Sequence, residues 1–390
     1  MITRTFKYRL YPTTSQIKKI DNQLYLHRYL YNCALEHRIT CYKNFNKSIG
    51  LYDQTYTLKN IRVEDPRFAE CNRGSLVVTL MRLDKAYSNF FRRVKRGEKP
   101  GFPRFKGRGR FNSIHYGIYG NGCKIKGDRL YLQNIGEVKV RWHRPIEGRI
   151  KTVFVSRKND KYYTGFMVET EIKPLPVTGN EIGIDVGLND FLVTSDNLYI
   201  DNPRYFRTSE EKLKKTQQEL SRRKLRSGRW YKSKKLVSGI HEKITNQRKD
   251  FHHKIARILI NENDMIAVEK LQIKNMVKNK YLSKSISDAG WGEFISILKG
   301  KAEGAGREVI EVDPKGTSQR CSGCGNIVPK DLSVRIHDCP YCGLVLPRDL
   351  NSAKEVRNLA LNIMQRAREA PSALALTSKV SPKTSESLNA

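Results

Sequence analysis

Apolar and polar residues alternate from the start of the chain. Ile2, Phe6, Tyr8 and Leu10 fall on one side and Thr3, Thr5, Lys7 and Arg9 on the other, the period of a half-buried β-strand. Pro12 stops that strand, and Thr14 is the expected N-cap of a helix carrying Ile17, Ile20, Leu24 and Leu30. A second helical period, Leu76, Leu80, Leu83, Tyr87, Phe90 and Val94, predicts that the region to about residue 96 is largely helical. From Arg92 to Arg110 the period gives way to Gly, Pro and basic residues, which predict a loop. Short alternating stretches follow: KIKGDRLYL, GEVKVRW, RIKTVFVSR and YYTGFMVETEI, with Lys158-Asn159-Asp160 as the hairpin turn between the last two. Strands of this length and spacing predict a small barrel that the first strand helps to close across the helical insertion.

Beyond Pro174 and Pro176 strand and helix alternate, the mark of an α/β domain. EIGIDVG turns at Asn189-Asp190 into FLVTSD and LYI, and helices are predicted from about Thr208 to Asn261 and from Ser285 to Glu303. DMIAVEKL and REVIEVD read as further strands. The closing stretch EAPSALALTSKVSPKTSESLNA has no apolar period and predicts a disordered tail. The fold class is therefore α+β with several domains.

Composition adds a partner to this outline. The chain has 390 residues, 38% of them hydrophobic, enough for two or three domains with their own cores. Lys and Arg number 73 against 39 Asp and Glu, a net charge of +34 that a small-molecule enzyme has no use for and that implies a polyanion. Nine basic residues and one acidic one stand between Arg92 and Arg110, interleaved with Phe102 and Phe105. Between Lys212 and Lys235, 11 of 24 residues are basic and one is acidic. This run is either a solvated helix face or an anion-binding one, and it repels itself unless an anion neutralises it. No apolar run approaches the roughly 18 residues of a membrane span, and no short apolar leader opens the chain, so a membrane or exported protein is not expected.

Candidate chemistry sits at two places. Of eight cysteines, Cys33, Cys41, Cys71 and Cys123 are scattered, whereas Cys321, Cys324, Cys339 and Cys342 form two CxxC pairs within 22 residues. Paired turns of this kind direct four thiolates at one ion, expected to be zinc. Four protein ligands leave no open position, so the site is expected to be structural. Asp185 lies inside the apolar strand Ile182-Gly-Ile184-Asp-Val186, and Glu269 ends Ile266-Ala-Val268, where an unpaired carboxylate is costly unless a cation or a proton offsets it. Asp349, in PRDLNSAKEV, opens a helix just after the cysteines. Each has an ordinary alternative: a turn-flanking residue, a salt-bridge partner and a helix cap, respectively. Together they would hold two divalent cations across a phosphodiester.

GIDVG, then IAVEKL, then a four-Cys ribbon followed by RDLNSA, resembles the split RuvC nuclease core of the TnpB (OrfB) proteins of bacterial insertion sequences, which are RNA-guided nucleases similar to type V CRISPR effectors and Fanzor proteins. FKYRLYPTTSQ, LDKAYSNFFRR, GFPRFK, RKDFHHKIA, SISDAGWGEF and TSQRCSGCG extend the likeness over most of the chain. The resemblance implies an RNase H-like (RuvC) nuclease over 177–316 and 347–367, a zinc ribbon over 317–346, a wedge-like barrel over 1–12 and 111–176, and a helical recognition domain over 13–110; the tail is 368–390. It implies the catalytic residues Asp185, Glu269 and Asp349 with two Mg²⁺ ions, a guide RNA from the transposon end, double-stranded target DNA, products with 5′-phosphate and 3′-hydroxyl ends, and a cytoplasmic, nucleoid-associated setting in a bacterium or archaeon. Phosphate contacts fall to Arg104, Lys106, Arg108, Arg222, Arg223, Arg226 and Lys234. The family's motif-reading positions look like Tyr52, Arg73 and Val77; Gly74 and Val77 differ from relatives. Arg73 would meet a guanine edge or a phosphate, or stay solvated while Tyr52 packs in the core. Pro347 stands where the family often has Asp. The alternatives are a nuclease-dead RNA-guided repressor, expected to lack a triad carboxylate, and a transposase that joins DNA ends without a guide.

Overall fold

In the computed structural model, which describes residues 1–331 and 333–369, the alternating start of the chain is strand β1 (Ile2–Tyr11). Thr13 rather than Thr14 caps the helix that follows: its hydroxyl accepts from the Gln16 amide while the Gln16 side chain accepts from the Thr13 amide at 3.0 Å, a reciprocal box that the sequence spacing T-x-x-Q encodes. Helix α1 (Thr14–Phe45) is followed by α2 (Leu51–Glu64), a 3₁₀ turn at Pro66–Glu70 and α3 (Arg73–Lys95). Leu26, Leu30, Leu35, Leu58, Leu76, Leu80 and Leu83 pack between them. Helix α3 continues through four residues of the stretch read as a loop, Arg92 to Lys95, because Arg92, Arg93 and Lys95 complement the negative end of the helix dipole.

The same unit, Met1–Glu171, holds β2 (Ser113–Tyr116), β3 (Cys123–Lys126), β4 (Arg129–Leu132), β5 (Gly136–Arg141), β6 (Arg149–Lys158) and β7 (Lys161–Thr170). The strand order is β2-β6-β7-β1-β5-β4-β3, antiparallel throughout, with β1 at the centre. Tyr8, Ile114, Tyr116, Leu130, Val138, Val153 and Phe166 share one core, so the sheet curls into a nearly closed barrel. Asn159 and Asp160 both take positive φ, 49° and 58°, which a two-residue hairpin turn requires.

The second unit starts at Ile172. It contains β8 (Glu181–Val186), β9 (Asp190–Thr194), β10 (Tyr199–Asp201), α4 (Tyr205–Arg222), α5 (Gly228–Glu262), β11 (Met265–Glu269), α6 (Ile273–Met276), α7 (Ser283–Ala289), α8 (Trp291–Ala305), β12 (Glu308–Val312), β13 (Ile336–Asp338), β14 (Val345–Pro347) and α9 (Arg348–Glu369). The helices expected from Thr208 to Asn261 divide at 223–227, where Arg226 has φ 66° and Ser227 caps α5, and the helix expected from Ser285 to Glu303 is broken at Gly290, with φ 67°. The five-stranded sheet runs β10-β9-β8-β11-β12, with β8, β11 and β12 parallel. Ile266 and Val268 face α5 and α8, while Met265 and Ala267 face α9, so β11 is apolar on both sides as a covered central strand must be. Arg368 and Glu369 of the expected tail close α9, and the rest of it lies outside the described residues. Among the described residues no helix is long and apolar enough to cross a membrane.

Helix α9 approaches β8 most closely at Gly183, where an added Cβ would collide with the Ala353 carbonyl oxygen and come within 2.7 Å of the Arg357 nitrogen. Gly183→Ala is expected to cost about 1–3 kcal/mol by overpacking. Gly239→Ala, with nothing within 4 Å, is expected to cost nothing. Thermal melts of the two variants check this, and equal melting temperatures would contradict the close approach.

Candidate metal centres and nucleic-acid surface

Asp185 and Glu269 stand at the carboxyl ends of adjacent parallel strands, since β8 and β11 pair in register up to Ile184 and Val268. Asp349 comes from the first turn of α9, delivered there because β14 ends in Pro347 and runs directly into the helix. Burial pushes the Asp185 carboxyl well above its ordinary value, and the negative charges of Glu269 and then Asp349 push it further; Arg348 and a hydrogen bond from Ser352 oppose this. Burial also raises Glu269, against a hydrogen bond donated by the Thr317 hydroxyl. Asp349 pairs with Arg348 Nε at 3.3 Å. Hard oxygen donors that repel one another in a poorly hydrated corner fit divalent cations, which would offset the repulsion. Among the described residues the group whose ligand atoms gather within 4.8 Å of one another is that of Cys321, Cys324, Cys339 and Cys342.

The two CxxC turns are built alike. Gly325 and Gly343, at φ 75° and 71°, each donate back to the first cysteine carbonyl at 2.9 Å. Cys321 Sγ lies 3.6 Å from Cys342 Sγ, and Cys324 Sγ lies 3.6 Å from Cys339 Sγ. A tetrahedron of about 2.3 Å zinc–sulfur bonds has edges of about 3.8 Å, so the thiols fit zinc. Burial opposes ionisation of Cys339, yet amides of Tyr341 and Cys342 and the neighbouring sulfurs bring its thiol down to about 7.

The first cysteine turn is fastened to α9 by residues outside the expected ligand sets. Asn351, fully buried, accepts from the Ser322 amide at 2.9 Å and donates to the Arg320 carbonyl at 2.8 Å, on either side of Cys321. Asn358 donates to the Ser322 carbonyl at 3.0 Å, and Arg320 pairs with Glu355 at 3.2 Å. Burial lifts Glu355 to about 7 even with Arg320 beside it. In the sequence these are only polar residues at i, i+4 and i+7, which share one face of a helix.

The expected nucleic-acid residues are dispersed. Tyr52, 83% exposed in the first turn of α2, does not pack in the core, and Arg73 is exposed at the start of α3. Val77 packs partly against the helical core. Arg104 and Arg108 are exposed, while Lys106 is pinned to α1 through Asn32, which accepts from its amide at 2.8 Å and donates to its carbonyl at 3.1 Å. Arg222, Arg223, Arg226 and Lys234 are exposed around the break between α4 and α5.

The family model OrfB_IS605, described as "Probable transposase", matches residues 165–280; the Cas12f1-like TNB domain matches 291–356, and a helix-turn-helix domain of OrfB_IS605 matches 1–47. The last span is here a strand and one unbroken 32-residue helix. A Streptomyces pristinaespiralis protein named for RNA-guided DNA endonuclease activity is 32% identical over 347 residues, 87% of this chain and 85% of the relative. InsQ of Escherichia coli (strain K12), named likewise, is 29% identical over 90% of this chain and 91% of its own. The mini-RNA-guided endonuclease CRISPR-Cas_phi3 is similar in fold, with a TM-score of 0.50, 10% identity and 92% of each chain covered.

Three outcomes are expected. Asp185→Asn should raise the melting temperature of divalent-free protein at pH 7 by several degrees, about 1–3 kcal/mol, and abolish any gain that an added divalent cation gives the wild type. Because the folded-state value of Asp185 is raised, its contribution is fullest below the ordinary Asp range and is lost as pH rises through the raised value, so the benefit of the substitution should shrink in acid. A lower melting temperature at pH 7 would contradict this. Elemental analysis should find one zinc per chain. Asn351→Ala should keep that zinc but lose about 2–4 kcal/mol, two buried hydrogen bonds being removed; unchanged melting would show that the fastening is idle.

Proposed function

The chain belongs to the TnpB (OrfB) family of RNA-guided DNA endonucleases, and we propose that it cuts double-stranded DNA beside a short adjacent motif, directed by a guide RNA from the end of its transposable element. The observation that carries the reading is the meeting of Asp185, Glu269 and Asp349 from two strand ends and a helix start, because a carboxylate cluster of this kind has no structural use and is costly unless cations enter it. Ligand sites at the carboxyl ends of parallel strands are the rule in open α/β sheets. The order β10-β9-β8-β11-β12 supports an RNase H-like (RuvC) nuclease. The barrel and the three helices before it are read as wedge and recognition domains.

Asp185, Glu269 and Asp349 would hold two Mg²⁺ ions, which when bound supply an activated water and a stabilised leaving 3′ oxygen. Thr317 and Ser352 keep two of these carboxylates oriented by donating to them, and Arg348 restrains the third. The four-Cys ribbon has no free ligand position and serves to hold α9, not to react. Specificity comes from base pairing with the guide, so the protein needs chiefly backbone contacts, which the exposed Arg and Lys residues supply. All three carboxylates are present, and nothing favours the nuclease-dead repressor.

Asp185→Ala, Glu269→Ala and Asp349→Ala are each expected to lower cleavage of a guide-matched plasmid at least ~100-fold while RNA and DNA affinity stay within about threefold. RNA that co-purifies with the protein supplies the guide for the assay. Cutting at the wild-type rate by any variant removes that residue from the site, and absence of RNA from the purified protein overturns the reading in favour of an unguided enzyme.

A further inference from the structure

One face of α1 carries exposed aromatic rings that neither the core of the first unit nor the proposed chemistry uses. Tyr25 and Tyr29, one helical turn apart, are 44% and 39% exposed. Their rings are almost parallel, 7° between planes with centroids 6.2 Å apart, and the buried core ring of Phe68 supports Tyr29 from behind, 6.2 Å away at 17°. Guanidinium groups back the row, Arg28 at 5.3 Å from the Tyr25 ring and Arg67 at 5.9 Å from that of Tyr29. Beside Tyr25 opens a cavity of about 450 Å³, bounded by Arg28, Arg108 and Arg157, by Asp21 and by the ring of Phe111. That volume lies in the roughly 300–1,000 Å³ range of small-molecule sites.

The charges decide what fits. Arg157 is neutralised by Asp21, to which it donates at 2.7 Å, so Arg28 and Arg108 remain as surplus positive charge. A phosphate satisfies them. Flat exposed rings beside a phosphate site suit a base whose face is free, and in a duplex both faces of every base are covered. Asp21 accepts from Arg157 at 2.7 Å and from the Tyr162 hydroxyl at 3.4 Å, both through Oδ1, and a carboxylate has further lone pairs with which to accept. In an otherwise cationic pocket a spare carboxylate oxygen opposes a second phosphate and favours a hydroxyl donor, and the 2′-hydroxyl is the donor that separates RNA from DNA.

We propose that this face binds an unpaired ribonucleotide, with its base stacked on Tyr25, its phosphate held by Arg28 and Arg108, and its 2′-hydroxyl donated to Asp21. The proposal rests on the reading that RNA is a partner, and it adds where an unpaired segment of that RNA is gripped.

The test uses full-length protein freed of co-purified RNA and measures anisotropy with an unstructured uridine-rich RNA, a DNA of the same sequence and an RNA duplex, over a range of salt. Tyr25→Ala should weaken single-stranded RNA binding about 5- to 150-fold, the effect of about 1–3 kcal/mol of stacking, and leave duplex binding and the salt slope unchanged. Tyr25→Phe should bind like the wild type. Arg108→Gln should reduce the slope for single strands by about 0.7. Asp21→Ala, which adds positive charge, should strengthen RNA and DNA binding alike through electrostatics yet lower the ratio of RNA to DNA affinity. Wild-type RNA binding by Tyr25→Ala, or an equal loss on the duplex, overturns the site; an unchanged ratio in Asp21→Ala overturns its ribose half. If the wild type binds no RNA, the partner reading itself fails, a result separate from loss in one variant alone.

Discussion

Helix α9 can lie on β8 only because position 183 has no side chain. The contact is backbone against backbone, the Ala353 carbonyl and Arg357 nitrogen over Gly183, and it fixes the separation of two elements that each bring a carboxylate. Asp185 is two residues further along the strand, and Asp349 is one turn before Ala353. Ser352, on the same side of the helix, reaches Asp185. The other side of α9 presents Asn351, Glu355 and Asn358 to the first cysteine turn. One helix is thus held between the sheet and the ribbon, and the position of Asp349 follows from both contacts.

The acid cluster persists inside a chain of charge +34. Exposed Lys and Arg residues are solvated, and beyond about 8 Å their effect is screened at physiological salt. Arg348 is the cation beside Asp349, and it does not bring Asp185 back to its ordinary range. The cluster would therefore suit small cations while the outer surface would suit polyanions. The two kinds of site coexist because burial, not net charge, sets the local electrostatics.

Much of this was legible in the sequence where a local period or a fixed spacing carried it. Strands around Asp185 and Glu269 show as apolar runs interrupted by one carboxylate, and the paired CxxC turns need no three-dimensional information. Element ends were harder. Arg92, Arg93 and Lys95 read as loop by composition but suit the last turn of a helix, and the breaks at 223–227 and Gly290 lie inside stretches whose helical period resumes on the far side. Asn32 could not be seen to pin Lys106, because that pairing spans 74 residues. Nor does sequence separate the stripe of Asn351, Glu355 and Asn358 from a solvated helix face, since what covers it arrives from another part of the chain.

That stripe also shows why the fastening is made chiefly of amides. A protein that takes up and releases polyanions meets large changes in local potential, and ion pairs respond to them. Arg320–Glu355 is such a pair, and with Glu355 lifted to about 7 it holds its charge weakly near neutrality. Asn351 has no charge to lose. Its amide accepts from one backbone group and donates to another on the two sides of Cys321, so the angle as well as the distance between ribbon and helix is specified. Asn358 adds a third neutral bond to the same turn. The amide part of this link depends neither on salt nor on pH near neutrality, and Asp349 inherits that constancy from a helix held to the sheet and to the cysteine turn chiefly by uncharged contacts.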